Sequence, residues 1–597
     1  MTLPAASAAA PLVPPGGFRT AASKRWFRTR WHRSVCLVWA GRTSHGRPWG
    51  IAVRAATRVP KRPWLDRSWR RFRQWIGKTW RSAFASVAVV WGAACTTVGV
   101  LRALELLGLA QHVTKLSVVA GSAWASCAYV FGQASGLHLL GSLTRPGSLT
   151  LEALDALSVP LLQSATRNRS QAPRKTTSAR NGAAVEELLL PLVRSQWLEP
   201  FNLDQKHFIA GSEQEKKQII QQYPKMKAEA FACPRSDRPS WLVGGTLLSE
   251  GEQLPFQMSA SSISGPSSPQ RDRAYEPILF PFVRELETET LQMLGSVPTF
   301  AFGGVQHVNR ISQTAPVLVA PAEPFTLADM LTLSGLSRAA KLLDSPLTRW
   351  PVKAAGSQGH CNLSNAEPQA AFADGACTDN SGLLALLQRR VQRIVWVDFG
   401  WEAASAGSPQ ANNMNDLMEK FGLLQAGSSP FAKHTQVFGE NEVAALLHQL
   451  QVRRNAGEPG VVRRTLRVVR NETWQIPGGF SVDLVLIHID RVDNFEKSLP
   501  EDTYEELKKG FSGCFTSFPF LRPKISSVEQ GSAAFSVRQA NLLAALAEYH
   551  VRYASSLLRS LIPNKGRIPV QPQPMLERSG NSRPLLSSGL NSDIHKV

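Results

Sequence analysis

The sequence predicts an α/β protein, with a mixed, largely parallel central sheet, helices on both faces and an insertion-rich cap. Three observations carry that expectation. KLSVVAGSAWAS (115–126) is an apolar strand-like run that turns sharply into a helix. A second run, 371–399, reads strand, turn-rich loop, helix and strand in succession. The chain of 597 residues is 43% hydrophobic, enough to bury a substantial core.

Residues 1–81 form the first expected region, a basic arm with eighteen Lys and Arg against one acid, Asp66. The remaining residues hold 49 basic and 44 acidic side chains, so the body is nearly neutral. A charge confined to an arm argues against a fold built around nucleic acid, whose basic surface would belong to the body. The start, MTLPAASAAAPLV, has no charged stretch before an apolar core, which argues against a secretory signal. Its Arg-rich, acid-poor composition fits an organelle transit peptide. Within the arm, Leu65, Trp69, Phe72, Ile76 and Trp80 fall in an arc of about 80° at helical spacing, with arginines and Lys78 opposite. Such a helix at 64–81 fits an anionic membrane surface, or equally a docked surface helix.

The second region, 82–562, is the expected α/β domain, its cap inserted at about 145–350. Residues 82–101 carry no charge and have the length of a membrane span. Their Ala, Ser, Thr and Gly content favours instead a strand (Ser86–Trp91), a loop, and a helix through GVLRALELLG that stops at Gly108. A strand at Leu116–Ala120 follows, then a helix from about Ser122, completing a βαβ unit. The segments 164–182 and 259–273 are Ser/Pro/Arg-rich and read as loops. After DGACTDNSG, Ser381 caps a helix, GLLALLQRRV; IVWVDF (394–399) is a fully apolar strand, FSVDLVLIHID (480–490) alternates as a half-buried strand, and ANLLAALAEYHVRYASSLLRSLI is a long amphipathic helix. The third region, 563–597, is Pro/Ser/Asn-rich and reads as a disordered tail.

Seven widely spaced cysteines without C-x-x-C suggest neither a disulfide framework nor a zinc site, and nothing in the chain asks for a metal or cofactor. Ligands of α/β sheets gather at the carboxyl ends of strands, which singles out AGSAW and ADGACTDN. A carboxylate within reach of a serine can act as its base, making Asp374 and Ser122 the candidate pair. His112 precedes its strand and His488 lies inside one, so neither offers a better base. Local composition alone reads DGACTDNSG as a turn, and it lacks the spaced acids of a calcium loop. Ser122 alone reads as a serine of the first helical turn bonding backbone N–H groups.

VGVLRALELLGLAQHVTKLS (98–117), GSAW (121–124) and FADGACTDNSGLLALLQRRVQRIVWVD (372–398) together resemble the catalytic domain of the cytosolic phospholipase A2 and fungal lysophospholipase family. The segments from Phe325 and from Asn471 are similar to it as well. The resemblance spans roughly residues 84–562. It implies a Ser–Asp dyad cleaving phospholipid or lysophospholipid acyl esters through an acyl-enzyme, in a cytoplasmic protein that associates peripherally with membranes. Asp374 carries over as the base, with Gly375 and Asn380 in its loop. The nucleophile position matches Ala120, leaving Ser122 the nearby hydroxyl, and the glycine-rich oxyanion loop falls where this chain reads VAVVWG (87–92). Two functions follow from the resemblance: a hydrolase of that kind, or a catalytically silent lipid- or membrane-binding relative.

Overall fold

Residues 90–166, 190–249, 252–264, 296–301, 325–335, 348–351, 369–399, 415–424, 431–521 and 535–562 are described in the computed structural model. The arm, with its helix at 64–81, and the tail from 563 lie outside them.

The first described element is a helix, 90–106 (α1), which corrects the expected loop and the last two residues of the expected strand. Val90 and Trp91 open the helix, and residues 86–89 lie outside the described set. Packing explains the difference. Thr96 and Thr97 donate to the carbonyls of Gly92 (2.9 Å) and Ala93 (2.8 Å), so their hydroxyls are satisfied inside the helix. Gly99 lets a later helix lie against it, because a methyl there would stand 2.0 Å from the Ala544 carbonyl. The run of small residues is therefore a tightly packed helix. Its stop is the expected one, Gly108 in the left-handed region at φ +65°.

The strand Lys115–Val119 (β1) leads through Ala120 into the helix Gly121–Phe131 (α2). β1 pairs in parallel with Ser240–Ser249 (β2). From β2 a chain of antiparallel pairings runs to Glu252–Ser259 (β3), Ser262–Ser264 (β4) and Ser296–Pro298 (β5). On the other side β2 pairs antiparallel with Gln369–Asp374 (β7), which pairs antiparallel with Thr348–Pro351 (β6). The helix Leu327–Gly335 (α3) lies against β2 and β7, and its Ser334 bonds the Gly244 carbonyl at 2.7 Å.

A second sheet holds Arg393–Phe399 (β8), Gly460–Arg467 (β9) and Ser481–Ile489 (β10), with β8 parallel and β9 antiparallel to β10. The α/β class and the mixed sheet agree with the sequence reading, but "largely parallel" does not: in the two sheets only β1–β2 and β8–β10 are parallel among the described strands. The loop read at 259–273 holds β4, and the loop read at 164–182 begins with the end of a helix, Pro160–Thr166. Leu383–Gln388 (α4) precedes β8 and Asn441–Asn455 (α5) precedes β9. The long C-terminal helix is two, Val537–Tyr553 (α6) and Ser555–Leu561 (α7), meeting at Ala554.

Two buried histidines, His488 on β10 and His550 on α6, titrate in opposite senses. His488 Nδ1 lies 2.6 Å from the Asp398 carboxylate. Burial opposes charging His488, but the hydrogen bond and charge of Asp398 outweigh it and hold the imidazole above the ordinary value of 6.5. Burial pulls His550, bonded at Nδ1 to the Leu546 carbonyl, down to about 4. Between about 4 and 6.5 the unfolded chain therefore binds the proton that folded His550 refuses, so its contribution to stability is lost as pH falls through that window. That of His488 is lost instead as pH rises through its elevated value. Urea unfolding across this range is expected to show the acid-side loss, and His550→Gln to flatten it. An unchanged slope in the variant would show the assignment to be wrong.

Candidate functional site

β2 has two edges, and their use determines the site. β3 covers residues 242–249 of one edge. β1, paired with 240–244, and β7, paired with 245–248, must therefore share the other edge. They run toward each other and meet end to end, Val119 beside Gly244 and Asp374 beside Gly245. The carboxyl ends of the two singled-out strands thus converge, although the strands are not side by side. Glycines make the junction possible: a methyl at Gly375 would stand 2.4 Å from the Gly244 carbonyl and 2.9 Å from Val119 Cγ1.

Ala120 is the tip of a strained strand-to-helix turn, at φ 52° and ψ −122°. An L-residue held there costs about 1–3 kcal/mol and persists only where its surroundings impose it. Here they do. The Ala120 N–H donates to Ser334 Oγ (2.9 Å), whose own hydroxyl donates to the Gly244 carbonyl (2.7 Å). Behind the turn, Gly121 is pressed against α1, and a methyl on it would stand 1.6 Å from the Val90 carbonyl. Gly121→Ala is expected to lower stability by at least about 2–3 kcal/mol, since backbone must move to admit it. Unfolding midpoints within about 0.5 kcal/mol of wild type would contradict this packing.

Asp374 is buried at the end of β7, where its Oδ1 accepts the Ala376 N–H (2.9 Å) and its own carbonyl accepts from Thr246 Oγ1 (2.8 Å). It therefore does serve the turn that local composition suggested. Asp379 caps α4: its Oδ2 accepts the Leu384 N–H (3.2 Å), and Ser381 Oγ accepts that of Leu383 (3.1 Å). Gly382, at φ 67°, occupies the N-cap position itself. Buried Lys420 lies 3.3 Å from the Asp379 carboxylate and pairs with it. The Asn380 amide donates to Asp416.

Ala120, Ser122, Asp374 and Asn380 all line one cavity of about 910 Å³. Ser122 and Asp374 both line this cavity, and among the described residues no hydrogen bond joins the Ser122 hydroxyl to the Asp374 carboxylate. His488 lies away from this group, bonded to Asp398 in the other sheet. No metal-binding group of three or more His, Cys, Asp or Glu occurs among the described residues. None of their helices is long and apolar enough to cross a membrane.

Sequence reasoning missed Ser334 and Lys420, which reach the site from distant segments. It also passed over the Gly244–Gly245 pair in SWLVGGTLLS, a glycine pair inside a strand pattern that signals close backbone approach.

Fold and site define an α/β protein with a strained strand–turn–helix whose tip is an alanine. Comparison with known protein families and with curated proteins finds no match. Among solved structures the chain is similar to human GIVD cytosolic phospholipase A2, at 12% identity and a TM-score of 0.38, over 82% of this chain and 66% of that one. The same enzyme in complex with methyl gamma-linolenyl fluorophosphonate matches at 12% identity and a TM-score of 0.34, over 82% and 63%. The chain thus spans slightly less than two thirds of those proteins' length.

Proposed function

We propose that this chain carries a phospholipase- or lysophospholipase-type acyl-ester site that binds its lipid and does not turn it over. One observation supports the reading above others: Ala120 keeps the strained conformation in which such hydrolases present a nucleophile, yet offers a methyl group there. Asp374 lines the same cavity as a candidate base, with no hydroxyl at the tip to deprotonate. In this reading Ser122 is a bystander on the first turn of α2.

The test offers the purified full chain liposomes with labelled phospholipid and lysophospholipid. Lipid is expected to be retained without release of fatty acid. Turnover by wild type that disappears in both Ser122→Ala and Asp374→Ala would overturn the silent reading and make Ser122 the nucleophile. The basic stripe at 64–81 is proposed to hold the protein on anionic membrane surface. Deleting residues 1–81 is expected to abolish sedimentation with anionic liposomes, and equal sedimentation would refute that role.

A further inference from the structure

The 910 Å³ cavity differs in charge and exposure from one end to the other. Its exposed end holds His112, Arg390 and Arg393, by the amino ends of β1 and β8. Arg393 stands opposite Asp483 in the β8–β10 register, but that carboxylate is bridged to Arg463 at 2.8 Å. Among the described residues neither Arg390 nor Arg393 forms a salt bridge. The other end is buried and acidic, with Asp374 next to the end of β1 and Asp398 at the end of β8. Both strand ends meet the start of α1, where a methyl on Gly121 would strike the Val90 carbonyl and one on Gly92 the Phe399 ring.

Between these ends one wall is a strand edge. Every residue of β8, Arg393 to Phe399, lines the cavity, and Val395 is exposed. Side chains of a strand alternate between faces, so a wall that meets each residue in succession is the strand's hydrogen-bonding edge. Among the described residues β8 pairs only with β10. Hydrocarbon laid on the other edge would leave its N–H and C=O groups without partners. An added peptide strand satisfies them.

We propose that β8 accepts the amino-terminal strand of a partner protein, inserted from the exposed end and antiparallel to β8, uncharged along the inserted residues and acidic just after them. The direction follows from charge. An amino terminus inserted first brings its ammonium toward Asp374 and Asp398, whereas a carboxyl terminus would add another carboxylate there. The acidic residues that follow lie beside Arg390 and Arg393. Antiparallel pairing is also slightly the more stable per residue. The chain's own arm has the wrong charge for the exposed end, with eighteen Lys and Arg against one acid in residues 1–81. This docking is independent of the ester site, because it uses the edge of β8 and not the Ala120 turn.

Fluorescence anisotropy tests it, with peptides labelled at the carboxyl end and titrated with the purified full chain. A peptide of alternating Thr and Val followed by a run of Glu is expected to bind saturably. The same peptide acetylated at its amino end, or with Lys in place of Glu, is expected to bind at least about tenfold more weakly. Arg390→Glu combined with Arg393→Glu is expected to reverse the preference, so that the Lys peptide binds the better. In hydrogen exchange, the cavity-side amides of 393–399 are expected to slow at least about a hundredfold when the Glu peptide is bound. No saturable binding, equal binding of the Glu and Lys peptides, or loss of both in a double variant of wild-type stability would each overturn the proposal. So would binding without slower exchange at 393–399, or slow exchange there before any peptide is added, which would show the edge already occupied by this chain or a second copy.

Discussion

Ala120→Ser is expected to convert a lipid-retaining protein into a slow esterase. The substitution is tolerated for a definite reason: Ala120 already carries a Cβ at φ 52°, so serine adds an oxygen and no new backbone strain. Ala120 lines the same cavity as Asp374, so the added hydroxyl has room and a carboxylate nearby. Losing a serine nucleophile costs on the order of 10⁶ in rate, and each missing oxyanion donor about 10²–10³, so restoring the nucleophile alone should gain about 10³-fold over wild type. Fatty-acid release from labelled liposomes measures it. Asp374→Asn added to Ala120→Ser should return the rate to background, because asparagine cannot take the proton. If Ala120→Ser releases no more fatty acid than wild type while binding lipid equally, the turn is a relic of packing and the proposed site is wrong. The opposing lever is the Ser334 hydroxyl, which bonds the Ala120 N–H. Ser334→Ala should weaken any activity gained without altering the base.

Much of this site could be read in the sequence, for a local reason. The apolar run 115–119 followed at once by Gly121 needs only its own residues to turn, and Asp374 and Gly375 form their turn from neighbours in the chain. The existence of strands β8 and β10 was equally plain, but their burial was not: β8, an apolar run, alternates between buried and exposed residues, and β10, whose alternation predicts a half-buried strand, is buried from Leu484 to Ile489. What failed was nonlocal. α1 is buried almost all round, so it has no polar stripe to reveal a helical period, and its glycines and threonines lower helix propensity. Contact with α6 at Ala544 decides the matter instead. The end-to-end meeting of β1 and β7 depends on β3 having taken the opposite edge of β2, a choice no short window contains. The division of the C-terminal helix at Ala554 has no glycine or proline to announce it.

The largest stability effect is expected at Arg102 and Glu548, which join α1 to α6 and are wholly buried. Arg102 Nε donates to Glu548 Oε2 at 2.7 Å, and its other nitrogens reach the Leu140 carbonyl (3.2 Å) and Thr144 Oγ1 (3.5 Å). Thr144 in turn donates to Glu548 Oε2 at 2.6 Å. Burial pulls the guanidinium below its ordinary value against the opposing attraction of Glu548, so desolvation is a real cost here. Breaking such a pair leaves one buried charge uncompensated, at about 3–5 kcal/mol, whereas replacing both partners with apolar side chains of similar size is often neutral. Arg102→Met and Glu548→Leu are each expected to lower the unfolding free energy by that amount, and the double variant to recover most of it. Arg552, 3.8 Å from Glu548 and partly exposed, limits the cost of losing Arg102, so that variant should be the milder of the two. Urea unfolding of the four proteins gives the coupling directly. Additive losses would mean that the two side chains act separately, and that α1 is held against α6 by apolar contact alone. A large coupling would mean that the wall of the site depends on this charge pair, and the Ala120→Ser activity should then fall with it.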